Sequence, residues 1–427
     1  MRVLLKNIRS FCRGKYSIPI RPLTILVGEN STGKSTFLAL LAHLTQGSFP
    51  SLRPSLSDPP FDLGTFDSIA TYKGGRFGRA ESFSIGFTKN GKRDRGSVFA
   101  TYRSHLGQPQ LSSLEMSHEQ GEVSLTLKPD TLEGTLILRP PKGKEIKSRV
   151  DFKHRLSLSD IPVPYLLRAM LFDSNRKDIP RSLLKSKWIL GLVAPISGFA
   201  GPAIALAPVR TKPKRTYDEI NDDFKPEGDH IPAILARIWR DEDSSRRSGL
   251  LRALGEFGAG SALFKNIGVK RLGKRPSDPY QILVTVAGPP TNLLDVGYGV
   301  SQSLPLVVES VLADEHRILL MQEPEVHLHP RAQAALGSFF AHLVAAEKRH
   351  FVIETHSDYL LDRVRQEVAR KTIRAQDVQI LFFERSEAET IVHEIRLDKL
   401  GNVVKAPPSY RSFFLEEDLR LLNRKDR

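Results

Sequence analysis

Nine consecutive residues, Gly28-Glu29-Asn30-Ser31-Thr32-Gly33-Lys34-Ser35-Thr36, spell the G-x-x-x-x-G-K-[ST] pattern of a phosphate loop. Their types define the chemistry. Gly28 and Gly33 let backbone N–H groups turn inward around a triphosphate, and Asn30, Ser31, Thr32 and Thr36 complete the cradle. Lys34 can reach the β and γ oxygens, and the Ser35 hydroxyl can ligate Mg²⁺. The pattern therefore predicts binding of ATP or GTP with Mg²⁺.

Three further groups lie downstream. Ile318-Leu319-Leu320-Met321 is a short apolar run ending in Gln322-Glu323-Pro324-Glu325, the arrangement of a Walker B strand. Glu323 is placed to polarise an attacking water. Gln322 stands where the pattern has the aspartate of the Mg²⁺ shell; its amide oxygen can accept from a metal-bound water but lacks the charge, so weaker Mg²⁺ binding or slow turnover is expected. His350-Phe351-Val352-Ile353-Glu354 reads as the next strand and delivers Thr355-His356-Ser357-Asp358 at its carboxyl end, where open α/β sheets gather ligand-facing residues. Between 295 and 304, Asp295-Val296-Gly297-Tyr298-Gly299-Val300-Ser301-Gln302-Ser303-Leu304 occupies the slot of an ABC signature. Gly299 fits its glycine, Gly297 sits where its serine is expected, and Ser301 or Ser303 would supply the hydroxyl.

The elements that must hold these residues are legible as well. Leu23 to Val27 reads as a buried strand before the loop and Phe37 to Leu44 as an apolar helix after it; Tyr16 to Ile20 reads as another strand. Between 89 and 200, alternating stretches such as Val123-Ser124-Leu125-Thr126-Leu127 and Thr135-Leu136-Ile137-Leu138 predict strands. Helices are expected over Tyr165 to Asp173 and Ile231 to Leu254. No sustained heptads appear, so long coiled-coil arms are not expected. The expected fold class is α/β, and the order of the motifs resembles a P-loop ABC-type ATPase head with a split two-lobe sheet and an inserted α+β region. Its expected divisions are lobe 1 at 1–88, the insertion at 89–279, lobe 2 at 280–398 and a helical docking tail at 399–427.

The G-x-N-S-x-G-K-S loop after Leu5-Lys6-Asn7-Ile8-Arg9-Ser10-Phe11 resembles the opening of SMC, RecF and OLD-type ABC ATPases. Ala207-Pro208-Val209-Arg210 with Pro213-Lys214-Arg215-Thr216-Tyr217, then Glu323-Pro324-Glu325-Val326-His327-Leu328-His329-Pro330, Glu354-Thr355-His356-Ser357 and the tail around Leu397-Asp398 narrow this. Together they resemble the OLD/RecF-like AAA-type ATPases of bacterial defence islands, among them Septu-type ATPase subunits. The resemblance covers about residues 1 to 90 and 200 to 420. It implies a head-to-head homodimer sandwiching two ATP molecules between the phosphate loop of one chain and Gly299 of the other, with His356 at the γ-phosphate and the water. It also implies a separate effector chain, such as a nuclease, controlled in phage defence. A RecF-like DNA-repair ATPase and a transporter ATPase subunit use the same head and remain alternatives. His327 and His329, two apart after a Walker B turn, are expected to face the dimer partner rather than a metal.

Composition bounds the rest. The chain has 427 residues and 40% hydrophobic content, enough for a large core, and its single cysteine, Cys12, suits a reducing cytoplasm. Lysine and arginine exceed aspartate and glutamate by 15, with clusters at Arg210 to Arg215, Lys265 to Arg275 and Arg363 to Arg374, so nucleic-acid contact is expected. Ile189 to Val209 carries no charge but is broken by Gly191, Pro195, Gly198, Gly201, Pro202 and Pro208. It is expected to end as a buried strand near Ala207 and not to span a membrane.

Overall fold

The computed structural model describes residues 1–75, 78–90, 95–118, 121–128, 133–140, 144–151, 163, 165–167, 201–218, 222–240, 245–275 and 278–410. The helix expected from Tyr165 to Asp173, the stretch from Ile189 to residue 200 and the tail beyond 410 lie wholly or largely outside these residues. The chain divides into two units. The first comprises Met1–Ile20, Glu29–Pro202 and Phe383–Val392, the second Arg21–Gly28, Ala203–Phe382 and His393–Arg427.

In the first unit the strands β1 (Arg2–Ile8) and β2 (Phe11–Pro19) pair antiparallel. After β3 (Leu23–Gly28), which belongs to the second unit's sheet, follow β4 (Ser82–Asn90), β5 (Arg95–His105), β6 (Gln108–His118), β7 (Gly121–Leu127), β8 (Glu133–Arg139) and β9 (Ile146–Asp151). The eight form one antiparallel sheet in the order β2-β1-β4-β5-β6-β7-β8-β9. The alternating stretches expected at 123–127 and 135–138 are β7 and β8. Their period-2 burial, like that of β5 and β9, marks a sheet with one covered face. Helix α1 (Lys34–Thr45) buries almost every residue, and the short α2 (Phe66–Ile69) follows.

The second unit is built on the sheet β10-β14-β15-β3-β16-β17-β18. Its strands are β10 (Ile204–Leu206), β14 (Ile318–Gln322), β15 (His350–Glu354), β16 (Val378–Ser386), β17 (Glu389–Leu397) and β18 (Val403–Val404). β10, β14, β15 and β3 run parallel, with Leu26 beside Glu354 and Glu354 beside Gln322. All of β3 is buried and β14 is buried up to Gln322, as expected of central parallel strands with helices on both faces. The helices are α3 (Ile231–Arg240), α4 (Ser245–Ser261), α5 (Tyr298–Leu312), α6 (Pro330–Glu347) and α7 (Asp358–Ala369). The single helix expected from Ile231 to Leu254 is thus two. A small antiparallel sheet, β11 (Asn266–Arg271), β12 (Tyr280–Thr285) and β13 (Thr291–Asn292), precedes α5.

Candidate functional site

The phosphate loop leaves the carboxyl end of β3 at Gly28, whose φ is +139°, and closes at Gly33, the N-cap of α1, at φ +100°. A side chain at 33 would be strained by that φ, and its Cβ would stand 3.2 Å from both the Phe11 ring and the Thr390 hydroxyl. The position therefore needs glycine. Lys34 is only 3% exposed, and its ammonium donates to the Glu29 carbonyl at 2.7 Å. The buried Thr32 hydroxyl donates to the same carbonyl at 2.8 Å, while the Thr390 hydroxyl lies 2.7 Å from the Thr32 carbonyl. Arg9 donates to the Thr36 hydroxyl at 3.0 Å, and burial holds its guanidinium below its ordinary value. The loop is thus fastened from beneath. Asn30, Ser31 and Ser35 form its exposed lip. Left-handed glycines, a buried lysine and the amino end of a long helix fit a triphosphate.

The second unit gathers the other expected residues at the carboxyl ends of β14 and β15. Glu323 follows β14 in a left-handed conformation, φ +44°, and its N–H donates to the Glu354 carbonyl at 2.8 Å. A glutamate held there is a strained placement of the kind found at functional sites. Glu323 keeps its side chain half-buried. Gln322 lies beside Glu354, with the amide nitrogen 3.5 Å from a carboxylate oxygen. Glu354 is buried, so a carboxylate does stand next to the position where Walker B has its aspartate. His356 presents an exposed side chain, and its backbone N–H donates to Glu325 Oε1 at 2.7 Å. Thr355 donates its N–H to the Leu26 carbonyl at 3.1 Å, and Ser357 caps α7 by accepting from Leu360 N–H. The His356 turn is therefore fixed to β3, to the Glu323-Pro324-Glu325 turn and to its own helix.

Arg210 was counted in a basic cluster expected at nucleic acid, but it is buried beneath these turns, and Glu325 was given no role. Arg210, just beyond β10, is 2% exposed; its Nη2 lies 3.5 Å from the Glu323 carbonyl, and its Nε and Nη1 have no hydrogen-bond partner among the described residues. Burial pushes its guanidinium down to about 10, against the attraction of Glu325 and Tyr298. Glu325 is also buried, and one of its oxygens has no hydrogen-bond partner among the described residues; burial pushes this carboxyl up, against hydrogen bonds from Thr355 and His356. The available signals were the Val209-Arg210 pair after an apolar run and a second glutamate two residues past Glu323.

The signature-like segment forms the amino end of α5, with Gly297 as N-cap; Gly297 is exposed and Tyr298 is 39% exposed. The Tyr298 ring meets the exposed His327 edge-on at 5.0 Å. A Cβ on Gly299 would come within 3.3 Å of the His327 carbonyl and the Leu328 side chain. Ser301, in contrast, is buried and donates to the Tyr298 carbonyl at 2.8 Å, and Ser303 donates to Val300 at 3.1 Å. Both hydroxyls are spent inside their own helix, because α5 turns those positions toward the core. His329 caps α6. Among the described residues no group of three or more His, Cys, Asp or Glu could hold a metal, and no helix is long and apolar enough to cross a membrane.

Residues 23–362 match the family model described as AAA domain, putative AbiEii toxin, Type IV TA system. The chain belongs to this AAA family. A curated relative, the OLD nuclease of Thermus scotoductus, is 22% identical over 408 residues; the match takes in 92% of this chain and 66% of that protein. The chain thus spans just under two thirds of that relative's length. Among solved structures, the SMC head domain from Thermotoga maritima is similar at 9% identity, 92% of this chain, 97% of that chain and a TM-score of 0.38. The Smc head domain with an extended coiled coil from Pyrococcus furiosus, bound to the C-terminal domain of ScpA, is similar at 11% identity, 100% and 99% coverage and a TM-score of 0.42. At these scores the likeness carries no argument about function. The AAA assignment rests on the family match and on the loop itself.

Proposed function

We propose that this AAA chain binds and hydrolyses ATP as a nucleotide-gated regulatory subunit that controls a separate effector, such as a nuclease, in phage defence. The observation that carries the catalytic part is the loop geometry: glycines at left-handed φ, a buried Lys34 and a fully buried strand before the loop. The strained Glu323 turn and the His356 turn at the ends of neighbouring strands support it. In this reading Gly28 to Thr36 cradle the phosphates and Lys34 neutralises the charge that develops on them. Glu323 orients and deprotonates the water, and His356 donates to the γ-phosphate. Mg²⁺ arriving with ATP would neutralise the β and γ oxygens; Ser35 would hold it, with Gln322, backed by Glu354, reaching its shell. The exposed amino end of α5, at Gly297 and Gly299, would meet the nucleotide of a second copy in an ATP-sandwiched homodimer. The effector and its control rest on the resemblance to defence-island ATPases. The net charge of +15 supports work beside nucleic acid, the feature shared with the RecF-like alternative.

Two variants test the reading by calorimetry and phosphate release. Lys34→Ala is expected to abolish ATP binding. Glu323→Gln is expected to keep binding and lower hydrolysis by roughly two to four decades, the range for loss of a general base. Unchanged ATP affinity in Lys34→Ala would overturn the nucleotide site. DNA-stimulated hydrolysis that proceeds with no partner chain would favour the RecF-like reading.

A further inference from the structure

A cavity of about 760 Å³ opens at the amino-terminal end of the parallel strands of the second unit. Arg21 enters it just before β3, Lys371 and Arg374 from the turn after α7, and Arg396 and Lys399 from the end of β17 and the turn beyond. The phosphate loop leaves the opposite end of β3, which at about 3.3 Å per residue puts roughly 20 Å between Arg21 and Gly28.

Among the described residues, five cations thus face one lining carboxylate, Asp398, and that carboxylate is engaged in its own turn. Its oxygens accept from Leu400 N–H and Asn402 N–H at 2.8 Å each and from Asn402 Nδ2 at 3.0 Å. Arg374 is held by Asp377 at 2.6 and 3.2 Å, and Arg21 donates to the Val378 carbonyl at 3.2 Å. No ion pair joins Lys371, Arg396 or Lys399 to a carboxylate among the described residues, and all three are exposed. Burial, and then the neighbouring Arg396 charge, hold the Arg21 guanidinium below its ordinary value, with Glu394 and Asp377 opposing. Like charges crowded into a concavity repel one another unless an anion joins them. Among the described residues no aromatic ring lines the cavity, so these offer no platform on which bases stack.

We propose that this cavity binds the phosphodiester backbone of nucleic acid, without reading sequence, through Arg21, Lys371, Arg374, Arg396 and Lys399. The inference deepens the nucleic-acid part of the reading above and is independent of ATP hydrolysis. The backbone comes from duplex DNA, single-stranded DNA or RNA, and the assay separates these sources.

The test is fluorescence anisotropy of the full chain with labelled 20-nucleotide probes of each kind, titrated between 50 and 300 mM salt. The variant Lys371→Gln/Arg396→Gln/Lys399→Gln leaves the paired Arg374 and the bonded Arg21 in place. Each phosphate contact contributes about 0.9 to the log–log salt slope on duplex DNA and about 0.7 on single strands, so the slope is expected to fall by nearly three on duplex DNA and by about two on single strands. At 0.15 M salt the same slopes convert to roughly fivefold in affinity per contact, about two decades in all. A control, Lys265→Gln/Lys270→Gln/Lys274→Gln, removes the same charge from another exposed basic cluster and is expected to change the slope by less than one. Equal losses in the two variants would reduce binding to net charge, and no loss in the first would move it elsewhere; either result overturns the cavity site while leaving the nucleic-acid reading standing. A wild-type chain that binds none of the probes overturns both. ATP affinity, measured in parallel, is expected to be unchanged in both variants, which separates failure here from failure of the nucleotide site.

Discussion

Arg210→Met puts the buried charges under the Glu323 and His356 turns to the test. Arg210 is 2% exposed, and the nearby Glu325 carboxyl, equally enclosed, holds the His356 N–H at 2.7 Å. A buried charge stripped of its compensation costs about 3–5 kcal/mol. Glu325 can escape part of that by taking a proton. From its ordinary value of 4.5, protonation at pH 7 costs about 1.36 kcal/mol for each of some 2.5 units, which caps this part of the loss near 3 kcal/mol. At pH 5 the same step costs under about 1 kcal/mol. The sign follows from linkage. Burial already holds the Glu325 carboxyl above its unfolded value, and loss of Arg210 raises it further, so the added deficit is smallest near and below about 4.5 and grows as pH rises toward the folded value. Urea unfolding followed by tryptophan fluorescence at pH 7 and pH 5 is therefore expected to show a deficit, relative to the wild type, that shrinks by about 2 kcal/mol on acidification. Adding Glu325→Gln to the variant should recover most of the pH 7 loss, because a carboxamide still accepts from His356 N–H and carries no charge. A deficit of equal size at both pH values, or no recovery in the double variant, would refute the idea that Arg210 compensates Glu325.

Gly297→Glu probes the dimer face more cleanly than Gly299→Glu. A Cβ at 297 meets nothing within 4 Å at an ordinary φ of −56°, whereas one at 299 crowds the His327 carbonyl. Gly297→Glu is expected to keep its melting temperature and ATP affinity while losing hydrolysis and ATP-dependent association in ultracentrifugation; normal association would remove the amino end of α5 from the interface. In the first unit, burial pushes His43 down to about 4 from 6.5, against Asp58, Gln46 and Ser55. As a base with a depressed folded value it favours the fold above 6.5, and that contribution, about 3 kcal/mol in all, is lost as pH falls toward 4. His43→Leu should flatten the stability profile across that window; an unchanged slope would mean that other groups set it.

How much of this was legible depended on whether the information was local. The phosphate loop is contiguous, and its conformational demands at Gly28 and Gly33 are written in the residue types. The ends of β14 and β15 were legible because an unbroken apolar run that stops at a polar pair marks where a buried strand surfaces. Arg210 with Glu325, and Gln322 with Glu354, were legible as residues but not as neighbours. Their meeting requires β10, β14 and β15 to lie side by side, a pairing that joins positions over a hundred residues apart and leaves no mark in any short window. Ser301 misled for the opposite reason. Its hydroxyl suits a signature motif by type, but α5 begins at Tyr298, and the helical period turns position 301 inward to bond the Tyr298 carbonyl. The antiparallel strands at 123–127 and 135–138 were legible from alternation, while their place in a single sheet with β1 and β2 was not.

The two ends of the parallel sheet face different electrostatic problems, and the residues differ accordingly. At the carboxyl end of β3 the chain runs into a glycine-rich loop and a helix start, and backbone N–H groups of that kind can hold an anion with one lysine beside them. At the amino ends the helices arrive with their carbonyl termini, which repel anions. A phosphate there can be held only by side-chain cations. Lys371 follows the last turn of α7, where a cation also favours the helix dipole, and this alone would account for its type. Arg396 and Lys399 lie on β17 and the turn after it, outside any helix, and still face the same cavity as Arg21. Charge that no local element requires is charge left for a ligand.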